Sequence, residues 1–168
     1  MIPGQGVQRA FRVGLPSVDL FPYKTWQRLL TRSWREMQRD LFDHQHAAGY
    51  RPLREALAAY LATAHGVRCT AEQVIIVNGS QQGIDLTARV LLNPGEQVWM
   101  EDPGYLGTRG ALLGAGAHLV PVPIDAEGFS IQQGKERAPC ARLAFVTPSH
   151  QFPFEVTMSI ARRLSLLE

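Results

Sequence analysis

The spacing of apolar residues changes along the chain. In the N-terminal third they recur every three or four positions, which predicts amphipathic helices. We predict one helix from Thr25, as its N-cap, to about Leu41. A second helix is predicted from Pro52, in its first turn, to Gly66 as a stop. Residues 1–23 contain three glycines and three prolines, which predict an irregular arm ahead of these helices.

Farther along the chain, short strand-like runs alternate with helical ones. Strands are predicted at 74–77, 97–100, 118–122 and 142–147. The first run is continuous and mainly β-branched, which is typical of a strand buried on both faces. Helices are predicted at 80–92, at 105–113 and from Thr157, as N-cap, through Leu167, whereas 123–141 is predicted to be mostly loop. The alternation indicates an α/β fold with a largely parallel sheet.

The end of the sequence is still in helical register. Ile160, Leu164 and Leu167 keep helical spacing up to Glu168, and no Gly, Asn or Pro terminates the pattern. We therefore expect the chain to be a piece of a larger α/β protein.

Composition narrows the class of protein. With 168 residues, 45% of them hydrophobic and 19% charged, the chain is predicted to fold as one domain or a large part of one. A net charge of +2 argues against a polyanion-binding protein. Neither cysteine lies in a CxxC motif, and no apolar run predicts a signal peptide or a membrane span. We expect a cytoplasmic protein.

Four arginines in the first predicted helix form a stripe opposite its apolar face. They are Arg28, Arg32, Arg35 and Arg39. Such a stripe can bind phosphates, but it is more often the solvated side of an amphipathic helix. We expect no sequence-specific DNA binding by this helix.

Candidate chemistry lies where the predicted strands end, since open α/β sheets bind ligands outside the carboxyl ends of their strands. The first segment, 78–83, joins a strand to a helix. Gly79 permits close approach of the backbone, the helix N-terminus offers unpaired N–H groups, and Ser80 and Gln81 add side-chain donors. This pattern predicts either a phosphate-binding turn or an ordinary capped connection.

Two further segments follow later strands. In 101–105, Tyr105 is either a packing residue or a face on which a flat ring could stack. In 147–153, two prolines frame a polar loop, where the lone His150 is more often structural than catalytic. The sequence has no GxSxG elbow and no Walker A loop, and His44 and His46 lack companions for a metal site.

Five stretches of the sequence are informative when taken in order: GLPSVDLFPYKTW (14–26), GYRPLREALAAYL (49–61), VNGSQQGIDL (77–86), EDPGYLGTRGAL (101–112) and VTPSHQFPFEVTMS (146–159). Together they resemble the class I/II aminotransferases, which are fold-type I enzymes dependent on pyridoxal phosphate. The last is most similar to the aminotransferase-like domain of MocR-type regulators in the GntR family. The resemblance implies a three-layer α/β/α sandwich, with an arm at 1–23 and an incomplete large domain at 24–168.

The resemblance also assigns roles to individual residues. Gly79, Ser80 and Gln81 would bind the phosphate of pyridoxal 5′-phosphate, and Tyr105 would stack on its pyridine ring. Two residues of the arm would lie near the substrate, namely Gly14 and Leu15.

One position departs from the plain aminotransferases. Phe152 stands where they place an asparagine that bonds the phenolic oxygen of the cofactor. A phenyl ring cannot form that bond, and the resemblance leaves Gln151 or His150 as its replacement.

Other departures limit the implied activity. The aspartate for the pyridinium nitrogen, the Schiff-base lysine and the arginine for the substrate carboxylate would all follow Glu168. His44 replaces a tyrosine that reaches the phosphate of the neighbouring subunit. We therefore expect this chain alone to perform no transamination.

The implied parent is a regulator that senses an amino acid, an amine or a B6 vitamer and forms a homodimer. It would contact DNA only through a winged helix-turn-helix domain absent from this chain. The alternatives are a part of a genuine aminotransferase and a non-catalytic remnant that serves as a dimerisation module.

Overall fold

The computed structural model describes residues 17–36 and 47–168, which belong to two compact units, Met1–Ala47 and Ala48–Glu168. In the first unit, a 3-10 turn at Val18–Leu20 precedes helix α1, Tyr23–Glu36. The carbonyl of Pro22 accepts a hydrogen bond from Trp26 N at 3.0 Å, so the helix starts directly after the proline. The prediction that Thr25 caps this helix is therefore wrong, and the predicted end near Leu41 lies outside the described residues.

The second unit contains five helices and four strands among its described residues, together with a 3-10 turn at Ala71–Gln73. In chain order they are α2 (Arg51–His65), α3 (Ser80–Leu91), β1 (Gln97–Asp102), α4 (Leu106–Gly114), β2 (His118–Asp125), β3 (Gly128–Phe129), α5 (Ile131–Arg137), β4 (Leu143–Phe145) and α6 (Ile160–Ser165). The predicted roles of Pro52 and Gly66 at the ends of α2 are confirmed, and Gly66 has the left-handed φ of 66° that favours glycine there.

The strands form one sheet in the order β3-β2-β1-β4. Strand β1 is central and runs parallel to both β2 and β4, so that Val98 lies beside Leu119 on one side and Leu143 on the other. Strand β3 returns antiparallel to β2 in a short hairpin. The carboxyl ends of the three parallel strands therefore meet at one edge, as the sequence predicts.

Helices cover both faces of this sheet. One apolar cluster joins α3 and α4 to the strands and contains Ala88, Leu92, Val98, Leu112 and Ala117. The other joins the hairpin, α5 and the segment before α6, and contains Val122, Phe129, Ile131 and Met158. Successive residues of β1 serve opposite clusters, since Val98 packs in the first and Trp99 against the second. These layers form the predicted three-layer α/β/α sandwich.

The predicted strand at 74–77 is not present. The segment is extended and Ile75 is 56% exposed, whereas a strand buried on both faces was expected. This run is joined to the turn before α2 by the hydrogen bond from Ile76 N to Ala48 O, at 2.9 Å. An apolar β-branched run becomes a strand only where a neighbouring strand satisfies its backbone groups, and the sheet does not extend to this segment.

Two smaller expectations are also corrected. Helix α6 is capped by Ser159, whose Oγ accepts from Arg162 N at 3.4 Å, while Thr157 Oγ1 instead donates to Ser149 O. The region predicted as loop contains β3 and α5. These elements are too short to show a periodic pattern, and burial of Phe129 and Ile131 stabilises them. No helix in the described part of the chain is long and apolar enough to cross a membrane.

Candidate functional site

The connection from the extended segment to α3 leaves a helix N-terminus open. Gly79 is the N-cap, with a φ of 121° that a residue with a side chain rarely adopts, and no side chain caps the helix. The first N–H to bond back is that of Gly83, to Gly79 O at 3.1 Å. The backbone N–H groups of Ser80, Gln81 and Gln82 have no partner among the described residues.

The side chains of this turn divide into two kinds. Gln82 folds back, and its Oε1 accepts a hydrogen bond from Asn78 N at 2.6 Å. The Ser80 hydroxyl and the Gln81 amide make no hydrogen bond with the described residues, and both residues are exposed. We call Gly79, Ser80 and Gln81 the cradle. It presents backbone and side-chain donors at the positive end of α3, which is an arrangement suited to an anion.

The cradle reaches the next connection through Gly107 in α4. A Cβ placed on Gly107 would collide with Gln81 Nε2 and would lie 2.7 Å from Tyr105 Cε1. The Gln81 amide and the Tyr105 ring therefore both pack over this glycine. The structure brings the first two candidate segments together in this way.

Tyr105 also meets the third candidate segment. Its ring lies edge-on to that of Phe152, with centroids 6.5 Å apart and planes at 86°. Tyr105 is 42% exposed and Phe152 is 40% exposed, so the pair forms an open aromatic corner rather than part of the core. An exposed aromatic face is suited to stacking against a flat ring.

A group of three hydrogen-bonded polar residues, which we call the hub, consists of the buried Glu101 and Gln151 and the half-buried Thr147. Glu101 Oε1 accepts from Thr147 N at 2.7 Å, and Oε2 accepts from Thr147 Oγ1 at 2.6 Å and from Gln151 Nε2 at 3.3 Å. Glu101 is the penultimate residue of β1 and Thr147 follows β4, so the hub joins the carboxyl ends of two neighbouring strands.

Gln151 is almost completely buried, and both ends of its amide are occupied. Its Nε2 also donates to Pro103 O at 2.8 Å and to Phe152 O at 2.5 Å, while its Oε1 accepts from Phe154 N at 3.2 Å. Contact with a cofactor oxygen would require some of these bonds to break. The binding role suggested for Gln151 stays a prediction, and its contacts are those of a residue that holds a loop.

Several predicted residues cannot be placed. Gly14, Leu15 and His44 lie outside the described residues. His150 is exposed and makes no hydrogen bond within the described part of the chain.

The sequence analysis did not single out Glu101, although the residue lies near the end of a strand, in the candidate segment 101–105. Groups of three or more metal-ligating side chains do not occur among the described residues.

The cradle and the aromatic corner together define an α/β domain with an open site at the carboxyl edge of its parallel strands. The chain matches the family model of the class I and II aminotransferases over residues 18–138, and it belongs to that family. The predicted family is confirmed.

Individual relatives include both regulators and enzymes. The chain is 45% identical over 159 residues to a probable rhizopine catabolism regulatory protein, MocR, of Rhizobium meliloti, a match that covers 95% of this chain and 32% of that protein. The crystal structure of Pyrococcus horikoshii kynurenine aminotransferase matches with a TM-score of 0.80 at 30% identity, over 92% of this chain and 40% of that one. This aminotransferase-like domain therefore spans about a third of the length of the MocR relative.

The structure of a third relative contains a bound ligand. The crystal structure of LysN, an α-aminoadipate aminotransferase from Thermus thermophilus, was determined in complex with N-(5′-phosphopyridoxyl)-L-leucine. It matches with a TM-score of 0.79 at 32% identity, over 92% of this chain and 39% of that chain. That ligand carries a phosphate group and an aromatic ring.

Proposed function

We propose that this chain is the pyridoxal-phosphate-binding part of a MocR-type transcriptional regulator. The observation that carries the proposal is the cradle, whose N–H groups, hydroxyl and amide are unpaired among the described residues and lie next to Tyr105. Unpaired donors at a helix N-terminus suit a dianionic phosphate, and the aromatic corner suits its ring.

Each residue has a defined part in this proposal. Gly79 brings the backbone close to the phosphate, and Ser80 and Gln81 donate to its oxygens. Tyr105 contacts the ring, and the hub holds the loops on which the aromatic corner stands. Gly14 and Leu15 contribute the loop near the amino compound. When bound, pyridoxal phosphate supplies a ring that draws electrons from the Cα of an attached amino compound.

The sequence identities to the relatives favour a regulator over an enzyme. The chain is 45% identical to the MocR relative and 30% and 32% identical to the two aminotransferases described above. In the proposed parent, an amino acid, an amine or a B6 vitamer is the ligand, the protein is a homodimer, and a separate winged helix-turn-helix domain contacts DNA. A part of a genuine aminotransferase is the second candidate, because solved aminotransferases match at a TM-score of 0.80.

Binding by this chain is proposed to be reversible and without turnover. The sequence contains two lysines, Lys24 in α1 and Lys135 in α5. Helix α5 packs on the face of the sheet opposite α3, so Lys135 does not belong to the cradle. Neither lysine stands at the position that the family uses for covalent attachment.

The test is a titration of the purified chain with pyridoxal 5′-phosphate, with pyridoxal as a control that lacks the phosphate. We expect weak saturable binding of the phosphorylated compound, competition by inorganic phosphate, and little binding of pyridoxal. Borohydride reduction followed by peptide mapping should label neither lysine stoichiometrically. Equal binding of the two compounds would contradict the proposal, and so would stoichiometric labelling accompanied by turnover of an amino acid.

The choice between a regulator and an enzyme is tested on the proposed longer protein. Specific retention of a DNA fragment that changes on addition of pyridoxal phosphate and an amine would support the regulator. Amino-group transfer between an amino acid and a keto acid, without DNA binding, would support the enzyme. A dimer that binds no cofactor at millimolar concentration would support the dimerisation module.

A further inference from the structure

We infer that Glu101 is a positioning residue, which sets the distance between the Tyr105 and Phe152 rings and thereby shapes the ring-binding half of the site. The inference deepens the proposed function and rests on it for the identity of the ring. It assigns to a buried carboxylate a part in recognition of the cofactor ring, without any contact to the cofactor.

The first argument is the burial and bonding of the carboxylate. Glu101 is 4% exposed, yet it has no cationic side chain as a partner among the described residues. Its two oxygens are instead held by three donors, which come from Thr147 and Gln151. A buried carboxylate is costly unless such bonds satisfy it. All three donors belong to the loop after β4, so the carboxylate fixes that loop against the end of β1.

The second argument is the short path from the hub to each ring. Gln151 directly precedes Phe152 and donates to its carbonyl oxygen. The same amide nitrogen donates to Pro103 O, two residues before Tyr105. Gly104 folds tightly over Glu101, since a Cβ there would lie 3.1 Å from Glu101 Cβ. Both rings therefore stand on backbone that the hub holds in place, and their edge-on contact reports its geometry.

The third argument concerns why a carboxylate is needed. An ionised carboxylate only accepts hydrogen bonds, and each of its contacts here is to a donor. Glutamine at this position has the same size but one NH2 group in place of an oxygen. In one orientation the NH2 group faces Thr147 N, and in the other it faces the Gln151 amide and the Thr147 hydroxyl. At least one donor therefore loses its acceptor, and we expect the loop after β4 to move relative to the loop after β1.

The cradle provides an internal reference. Its donors are backbone and side-chain groups of Gly79, Ser80 and Gln81 at the start of α3, and none of them bonds to the hub. A change at Glu101 is therefore expected to alter recognition of the ring and to leave phosphate binding intact. A residue that merely stabilised the fold would affect both equally.

The experiment compares Glu101→Gln with Glu96→Gln in the 168-residue chain. Glu96 is half-buried directly before β1, where its Oε2 accepts a hydrogen bond from Asn93 N at 2.7 Å. Three quantities are measured: the dissociation constant of pyridoxal 5′-phosphate, that of inorganic phosphate, and the nuclear Overhauser effect between the Tyr105 and Phe152 rings. For Glu101→Gln we expect about tenfold weaker binding of pyridoxal phosphate, as for the loss of one hydrogen bond to a charged group. We also expect unchanged phosphate binding and a weakened ring contact, with no change for Glu96→Gln.

The inference is overturned if Glu101→Gln keeps the ring contact and the affinity for pyridoxal phosphate, or if it weakens both ligands equally. Should this variant fail to fold, Thr147→Val removes one donor to Glu101 and retains the backbone bond, and the same three measurements decide. If the wild-type chain binds neither ligand, the proposed function fails. The ring contact of the ligand-free variants then tests Glu101 alone, and its persistence overturns the positioning role.

Discussion

The cradle and the hub both contain polar residues, but they differ in exposure and in hydrogen bonding. The cradle lies at the start of α3, and the hub lies where β1 and β4 end. In the cradle, the donors of Ser80 and Gln81 are exposed and have no partner among the described residues. In the hub, the oxygens of Glu101 and both ends of the Gln151 amide are buried and bonded.

The difference between the cradle and the hub follows from the burial of their hydrogen-bonding groups. An exposed donor costs little because water satisfies it, and a ligand can later replace that water. A buried donor without a partner would cost the free energy of its desolvation, so its bonds are made within the protein and hold the fold. Polar residues are thus left available to a ligand where they are exposed, or committed to the fold where they are buried.

The largest expected effect comes from breaking the hub. Gln151→Leu would leave Pro103 O, Phe152 O and Phe154 N without their present partners. We expect the free energy of unfolding to fall by about 3 kcal/mol, because several buried groups lose hydrogen bonds together. Urea unfolding measures the change. Gln132→Leu on the exposed face of α5 is the control, and equal effects of the two variants would contradict the distinction.

The second prediction tests the cradle by binding rather than stability. Ser80→Ala removes one donor to a charged phosphate, so affinity for pyridoxal phosphate should fall by roughly 1.5–3 kcal/mol. The unfolding midpoint should not change, because the Ser80 hydroxyl bonds to none of the described residues. Thr87→Ala, in the same helix but outside the cradle, should leave affinity unchanged. A loss of stability without a loss of affinity would reverse the assignment.

A third prediction concerns the contact between the cradle and the aromatic corner. Gly107→Ala places a methyl group against Gln81 and Tyr105 and should weaken pyridoxal phosphate binding by about 1 kcal/mol, as these side chains move aside. Gly110→Ala is the matched control in the same helix, where a Cβ would meet no atom within 4 Å. It should raise stability by about 0.5–1 kcal/mol and leave binding unchanged. Calorimetric titration of both variants separates them.

The smallest effect on stability is expected from the partly exposed ion pair between Arg162 and Asp125. Arg162 in α6 donates to both oxygens of Asp125 at 2.6 Å and joins the hairpin to that helix. Its hydrogen bonds lower the pKa of Asp125 below the usual value, although partial burial opposes the shift, and the N–H of Glu127 adds to the lowering. Half of the Asp125 side chain is exposed, so screening by water should hold the contribution below about 1 kcal/mol.

The sign of the pH dependence follows from the lowered pKa. The unfolded chain binds this proton at about pH 3.9, above the pKa of the folded state, so the pair stabilises the fold above that pH. The contribution is lost as the pH falls further, through the folded pKa. Urea unfolding of Asp125→Asn and the wild type should therefore differ at pH 7 and converge well below about pH 4. A difference between the two proteins that persists well below about pH 4 would contradict the contribution assigned to the ion pair.

Much of the local structure could be predicted because it depends on neighbours in sequence. Helix α2 begins near Pro52 and ends at Gly66, as their backbone preferences require. Strands β1 and β2 follow the predicted apolar runs, and Ser80 starts α3. Strand β3 and helix α5 could not be predicted, since they are two and seven residues long and depend on Phe129 and Ile131 in a cluster built by distant segments.

The sequence by itself determined the class of this protein and the kinds of residue at its site. The order of its strands and helices indicated an α/β sandwich, and five ordered motifs indicated the family, because both are properties of local pattern. The tertiary structure alone decided which polar residues are covered. It left the apolar run at 74–77 outside the sheet, buried Glu101 and Gln151 in a bonded hub, and kept Ser80 and Gln81 exposed. The physical reason is that hydrogen-bond partners and exclusion of water come from segments far apart in the chain, which no local pattern records.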